Sequence, residues 1–98
     1  MTATFLAAAE EELREAARFY ENEASGLGLT FLAEAHRAVN KIEALPEAWT
    51  IVRQSIRKKT IGRFPYSLLY SIESTKILIV AVAHQKRRPN YWLARLKK

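Results

Sequence analysis

The chain has 98 residues, a formal net charge of +6, 49% hydrophobic residues and no cysteine. This length suits one domain, expected to span residues 1–98, and the apolar fraction is typical of a folded chain. The lack of cysteine excludes a disulfide scaffold and a cysteine nucleophile. With two histidines in the chain, we expect no metal and no small-molecule cofactor. No bilayer-spanning run or signal peptide is recognised, so we expect a cytoplasmic protein without a membrane partner.

The charge is divided unevenly along the chain. Residues 1–50 carry four Lys/Arg and nine Glu, a net charge of −5, whereas residues 51–98 carry twelve Lys/Arg and one Glu, a net charge of +11. Such asymmetry favours a second half that meets a polyanion or an acidic protein. The plainer alternative is a basic surface that keeps the protein soluble.

The first half predicts a short strand at residues 2–6, then two helices. Helical spacing begins at Ala7, residues 25–28 break it, and a second helix covers about residues 29–45, because Pro46 stops it. Glu10, Glu11 and Glu12 fall in the first turn, where the helix dipole favours acids, so we interpret them as structural and on the solvent side. The apolar stripe predicted for the second helix is Leu32, Ala35, Val39, Ile42 and Leu45, widened by Phe31 and Ala38.

The second half predicts a loop at residues 46–50, then three strands at residues 55–61, 64–72 and 76–83. In the first of these, alternation places Arg57 and Lys59 on one face and Lys58 on the other. The run at residues 77–83 is apolar on both parities, which indicates a central strand covered on both sides. The tail after Pro89 is expected to hold one helical turn around Trp92.

This order of elements predicts an α+β fold. The N-terminal strand and the helix hairpin would pack on one face of a small, mostly antiparallel sheet. We expect the surplus cations of the second half on the opposite face and along one edge.

A basic sheet of this kind suits phosphate contacts, with Tyr70, Tyr91 and Trp92 as stacking rings. RNA cleavage without a metal would need a base, an acid and a cation at the phosphate. The candidate base is Lys58 or Lys59, because crowding by like charges lowers the pKa of a lysine. The candidate acid is His84 or Tyr91. The cation at the phosphate would be Arg63, Arg87 or Arg88. Structural roles remain open for each residue. His84 would then hydrogen-bond to nearby backbone, and Tyr91 and Trp92 would pack the tail.

Several short motifs resemble one known family. They are Phe64-Pro65-Tyr66 followed by Leu69-Tyr70, the strand ending Ala81-Val82-Ala83-His84, and the run from Arg87-Arg88-Pro89-Asn90-Tyr91-Trp92 to Arg95. Together and in this order they resemble the RelE/ParE superfamily of toxins from type II toxin–antitoxin, or plasmid stabilisation, systems. The resemblance covers essentially the whole chain and implies the same helix hairpin on a small sheet.

The resemblance implies two alternative targets. RelE-like members cleave mRNA on the ribosome, and the residues that correspond to their catalytic set are Arg57, Lys59, Arg63, Arg87 and Tyr91. ParE-like members poison DNA gyrase and need no such set, so the sequence leaves enzymatic activity undecided and leans towards gyrase. The residues expected to bind the target or a nucleic acid are Lys58, His84, Lys86, Arg88 and Trp92.

The resemblance also implies an acidic antitoxin that covers the basic surface and neutralises growth inhibition. Two other hypotheses stay open. One is a non-toxic nucleic-acid-binding module, and the other is an inactive protein that retains antitoxin binding alone.

Overall fold

Two helices pack on one face of a five-stranded sheet in the computed structural model, which describes residues 1–96. The helices are α1 (Ala7–Glu23) and α2 (Leu27–Ala44). The strands are β1 (Ala3–Phe5), β2 (Thr50–Arg53), β3 (Ile56–Thr60), β4 (Tyr66–Ile72) and β5 (Ile77–His84). Short 3-10 turns occupy Pro46–Ala48 and Leu93–Leu96, and the second is the helical turn expected near Trp92.

The strand order in the sheet is β1-β5-β4-β3-β2. β1 runs parallel to β5, and every other neighbouring pair is antiparallel. The expected α+β fold is therefore confirmed, including its mostly antiparallel sheet. β5 lies between β1 and β4 and is buried along most of its length, as its unbroken apolar sequence predicted.

The sequence missed one strand. Residues 46–50 were expected to be a loop and the residues after them had no assignment, but β2 begins at Thr50 and pairs with β3. All four residues of β2 are exposed, so the strand has no buried face to produce an alternating pattern. Gln54, with φ of 51°, makes the turn into β3 without a glycine signal.

The buried stripe of α2 is rotated from the predicted one. Gly28, Phe31, Ala35, Ala38 and Ile42 are the buried positions. Leu32 and Leu45, expected in the stripe, are 36% and 64% exposed. The sheet lies beneath the Phe31 side of the helix, whereas Leu45 stands at the C-cap, where the chain leaves α2. A helix with apolar residues on several sides does not reveal which side meets the sheet.

Helix α2 begins at Leu27, two residues earlier than predicted, and so includes Gly28. Gly28 lets α1 and α2 approach closely. A Cβ atom on Gly28 would lie 2.7 Å from the backbone oxygen of Ala17 in α1. We expect Gly28→Ala to lower the free energy of unfolding by up to about 2 kcal/mol, because an overpacking cost of about 1–3 kcal/mol is only partly offset by a gain of about 1 kcal/mol in helix propensity. Urea denaturation measures the change. The exposed Asn40→Ala in the same helix is the control, with a change within about 0.5 kcal/mol. An unchanged Gly28→Ala protein would contradict this account of the helix contact.

The C-terminal segment, residues 85–96, returns across the sheet on the side away from the helices. There Trp92, 4% exposed, completes a small second core with Ile56, Leu69, Val80 and Ala81. We call this side the second face and the other the helix-side face. The second face, expected to carry the cations, is therefore in part an apolar surface covered by the chain's own C-terminal segment.

Candidate functional site

The strand register decides which face each cation of β3 occupies. Arg57 pairs with Tyr70, and Tyr70 belongs to the helix-side core. Lys58 pairs with Leu69, which belongs to the core of the second face. Residues paired across a sheet share a face. The predicted alternation is thus confirmed, and it sends neighbouring cations to opposite sides of the sheet.

Arg57 and Lys59 both make local contacts on the helix-side face. Arg57 donates from one guanidinium nitrogen to the backbone oxygens of Glu47, at 3.0 Å, and Trp49, at 2.7 Å. Lys59 places its ammonium 4.4 Å from the centroid of the Trp49 ring. Burial, with a further contribution from Lys41, lowers the pKa of Lys59. That is the direction expected for a candidate base, although crowding within β3 is not its cause.

A cavity of about 270 Å³, which we call the basic groove, opens on the second face. Val52, Leu69 and Trp92 supply apolar walls. Its positive and polar lining comes from Lys58, His84, Arg87 and Arg88, together with Ser67 and Asn90. No acidic residue of the described part of the chain lines it. The fold thus brings together four of the five residues expected to bind a target, namely Lys58, His84, Arg88 and Trp92.

Lys86, the fifth of these residues, is exposed in the turn after β5 and does not line the groove. Its backbone N–H donates to Nδ1 of His84 at 3.0 Å. An accepting Nδ1 leaves the proton of the neutral ring on Nε2. The His84 ring also stacks edge-on against Tyr66, with centroids 5.0 Å apart. His84 therefore lies at the end of the groove, but its ring packs on the Tyr66 side, which is the helix-side face, and it has the backbone hydrogen bond expected of a structural residue.

Beside the groove, Glu12 of α1 binds the C-terminal segment to the edge of β5. Its carboxylate accepts hydrogen bonds from the Tyr91 hydroxyl at 2.7 Å, from two nitrogens of Arg95 at 2.9 Å each, and from the Val82 N–H at 2.9 Å. The Arg87 guanidinium lies 3.8 Å from the same carboxylate and 3.9 Å from the Tyr91 ring centroid. We call this arrangement the Glu12 clasp.

The Glu12 clasp forms where the edge of β5 has no neighbouring strand. β1 pairs with β5 at residues 77–79, and a register shift in the β4–β5 pair follows at this point. Beyond β1, the edge of β5 meets side chains instead of a strand. Arg95 donates to the Val80 oxygen at 3.0 Å, and Glu12 accepts from the Val82 N–H. Two ionised side chains therefore satisfy backbone groups that a neighbouring strand would otherwise bind.

The clasp also shifts the acidities of its members. Burial alone would raise the pKa of Glu12, but the hydrogen bonds from Arg95, Tyr91 and Val82 outweigh it and hold that pKa below its usual value of 4.5. Burial and the Glu12 carboxylate raise the pKa of the Tyr91 phenol. Tyr91 is therefore a firmly protonated donor whose proton points at Glu12.

The sequence analysis placed Glu12 on the solvent side of α1, and that prediction was wrong. Glu12 follows the buried Ala9 by three residues and precedes the buried Ala16 by four, so it lies on the face that meets the sheet. This spacing is the signal that would have found it. No local signal marks Arg95 as its partner, because 83 residues separate the two.

The five residues expected to form a ribonuclease site do not form one cluster. Arg57 and Lys59 lie on the helix-side face of β3. Arg63 is exposed in the turn between β3 and β4, whereas Arg87 and Tyr91 belong to the clasp after β5. Because β4 separates β3 from β5, the two strands are about 10 Å apart.

The described residues contain no group of three or more His, Asp or Glu side chains that could hold a metal ion. Within residues 1–96, no helix is long and apolar enough to cross a membrane.

Comparison with known proteins assigns the chain to a family. No curated protein sequence matches it. Among solved structures it is similar to one described as "Chromosomal ParDE TA system from P. aeruginosa", with a TM-score of 0.61 and 16% identity, covering 86% of this chain and 95% of that chain. That likeness shows a shared fold. The sequence profile described as "ParE toxin of type II toxin-antitoxin system, parDE" matches residues 4–89.

The class is therefore the toxin component of a type II toxin–antitoxin module. Within that class, the chain belongs to the ParE toxin family, and the expected resemblance to the RelE/ParE superfamily is confirmed. Membership in a toxin–antitoxin family implies an antitoxin partner.

Proposed function

We propose that the chain inhibits growth by poisoning DNA gyrase, that it does not cut mRNA, and that an acidic antitoxin neutralises it in the cytoplasm. The observation that carries the choice of target is the Glu12 clasp. Its carboxylate occupies the space between Arg87, Tyr91 and Arg95, where a nuclease that used Arg87 and Tyr91 would need to receive a phosphate. A phosphate oxygen brought there is repelled by the fixed negative charge, and displacing Glu12 breaks a hydrogen-bonded charge network.

The rest of the ribonuclease set supports the same choice. Arg57 is bound to the backbone of residues 47–49, and Lys59 stands over Trp49, both on the helix-side face. General acid–base chemistry needs its groups within hydrogen-bond reach of one reacting phosphate. Two groups on the helix-side face and two in the clasp do not meet that condition.

The basic groove is the surface we assign to the target. Lys58, Arg88 and His84 line it, no acidic residue of the described part of the chain does, and Trp92 provides an apolar wall. Lys86, exposed at its margin, extends the positive charge. A positive surface of this kind accelerates the encounter with an anionic partner and fits a complex of gyrase with its DNA.

Two parallel assays test the target. With purified gyrase and supercoiled plasmid, we expect the protein to produce gyrase-dependent double-strand breaks, and no breaks when gyrase is left out. With ribosomes and mRNA, we expect the transcript to stay intact. Cleavage of the transcript that disappears in Tyr91→Phe would instead establish the ribonuclease. Salt-sensitive DNA or RNA binding without either effect would favour the non-toxic binding module.

A further inference from the structure

Another positively charged cavity lies on the helix-side face, between α2 and the end of β3. Its volume is about 140 Å³, and its ionisable lining residues are Glu34, Arg37, Lys41 and Lys59. The three from α2 are spaced by three and four residues, so they lie along one side of that helix. This α2–β3 cavity shares no described residue with the basic groove, which opens on the second face.

The charges that line the α2–β3 cavity do not balance. Three cations face one carboxylate, which leaves a surplus of two positive charges. The carboxylate, on Glu34, lies 3.2 Å from the Arg37 guanidinium and pairs with it. Within residues 1–96, the salt bridges include neither Lys41 nor Lys59. Burial, and then the nearby charge of Lys41, lowers the pKa of Lys59. An anion between the two lysines would offset this repulsion.

Contacts with neighbouring residues fix the walls of the cavity. The Lys59 ammonium lies 4.4 Å from the centroid of the Trp49 ring and donates to the Thr60 oxygen at 3.4 Å. An ammonium has three donors, so this contact leaves others for a ligand. At Gly62, where φ is 48°, a Cβ atom would lie 2.6 Å from a carboxylate oxygen of Glu34. The turn after β3 therefore packs against Glu34 and closes that end of the cavity.

The charge of the cavity matches that of a phosphate group. A phosphate monoester carries a charge of about −1.5 to −2 at neutral pH, which balances the surplus of two positive charges. A carboxylate carries one negative charge, and so does each phosphate of a DNA backbone. Lysine and arginine side chains both bind phosphate oxygens. A small phosphate dianion therefore fits this cavity better than an acidic peptide or a DNA strand.

We propose that the α2–β3 cavity binds a phosphate dianion, either inorganic phosphate or the phosphate group of a small monoester such as a nucleotide. Lys41 contacts the ligand from the helix, and Lys59 contacts it from the sheet. Arg37 stays paired with Glu34, which limits the repulsion between that carboxylate and the ligand. The bound ligand then joins α2 to β3. This site does not depend on the choice of target, because it lies apart from the basic groove.

NMR titration of the full chain at constant ionic strength tests the site. With inorganic phosphate we expect saturable shifts of the Thr60 and Gly62 amide signals, and with acetate no such shifts. Adenosine 5′-monophosphate separates the two sources: affinity about tenfold above that of inorganic phosphate identifies a monoester as the ligand, and equal affinity identifies phosphate alone. Absence of saturable shifts, or equal shifts with acetate, overturns the proposal. Tighter binding at these amides by duplex DNA without terminal phosphates would assign the cavity to a nucleic-acid backbone and also overturn it.

Two double variants that each lose two positive charges locate the site. Lys41→Gln, Lys59→Gln is expected to weaken phosphate binding by about tenfold or more, whereas Lys58→Gln, Arg88→Gln, in the basic groove, changes it less than about twofold. If the loss of the Lys59 contact with Trp49 disturbs the fold, the exposed Lys41→Gln alone still tests the site, with an expected loss of about fivefold. Equal losses in the two double variants would show that binding follows net charge. That result, or unchanged binding by Lys41→Gln, Lys59→Gln, overturns the proposal.

Discussion

Replacing Glu12 with alanine is expected to lower the free energy of unfolding by about 3 kcal/mol. The change leaves the Arg95 guanidinium, the Tyr91 hydroxyl and the Val82 N–H without the acceptor that binds all three. The side chains of Glu12 and Arg95 are 13% and 21% exposed, so water replaces the lost contacts incompletely. Chemical denaturation monitored by tryptophan fluorescence, to which Trp49 and Trp92 both contribute, measures the loss.

The neighbouring Glu11→Ala is the control. Glu11 pairs with Arg14 and Arg18 on the exposed side of α1, and its loss is expected to cost under about 1 kcal/mol. The dependence of the free energy of unfolding on pH, compared between the unmodified protein and Glu12→Gln, adds a second test. Because the folded-state pKa of Glu12 lies below 4.5, its ionised form stabilises the fold above that pH, and this advantage disappears as the pH falls through the folded-state value. Equal stabilities of Glu12→Ala and Glu11→Ala would show that the Glu12 clasp does not stabilise the fold.

The double variant Lys58→Glu, Arg88→Glu is expected to abolish growth arrest while the fold remains intact. Both side chains line the basic groove and both residues are exposed, so reversing them costs little stability. Reversing two cations at an interface with an anionic target costs several kcal/mol, which corresponds to an affinity about 100-fold lower or worse. Induction from a tightly controlled promoter, with colony counts and immunoblotting, measures toxicity at equal protein levels.

The control carries the same change in net charge at sites away from the groove. Lys41 is exposed on α2, and Lys76 precedes β5 at the opposite end from His84. Lys41→Glu, Lys76→Glu is expected to remain toxic. Arrest lost in both double variants would show that total charge matters and not the groove. Growth arrest by both double variants would show that the basic groove does not bind the target.

Local pattern was enough to predict most elements of this fold. The apolar run at residues 77–83 predicted a strand covered on both faces, and β5 is that strand. Alternation in β3 correctly separated Arg57 and Lys59 from Lys58. These predictions succeed because side-chain direction in a strand depends on parity alone. β2 escaped prediction because it has no buried face, and the α2 stripe was misplaced because several of its sides are apolar.

The candidate site was predicted in part. Lys58, His84, Arg88 and Trp92 all line one groove. His84 ends β5, Arg88 and Trp92 follow it closely in sequence, and the pairing of β3 with β4 and of β4 with β5 brings Lys58 beside them. The proposed ribonuclease set was assembled from residue types, and its members lie on different faces. Residue type suggests which chemistry is available, whereas only position decides whether the groups meet.

The amino-acid sequence by itself determined the helix hairpin, the mostly antiparallel sheet, the basic second half and the resemblance to the toxin superfamily. Each of these depends on composition or on periodicity within a few residues. Only the tertiary structure decided that Glu12 binds Tyr91 and Arg95. The physical reason is distance along the chain: 79 and 83 residues separate the partners, and a contact of that range exists only after the C-terminal segment has packed on the sheet next to α1.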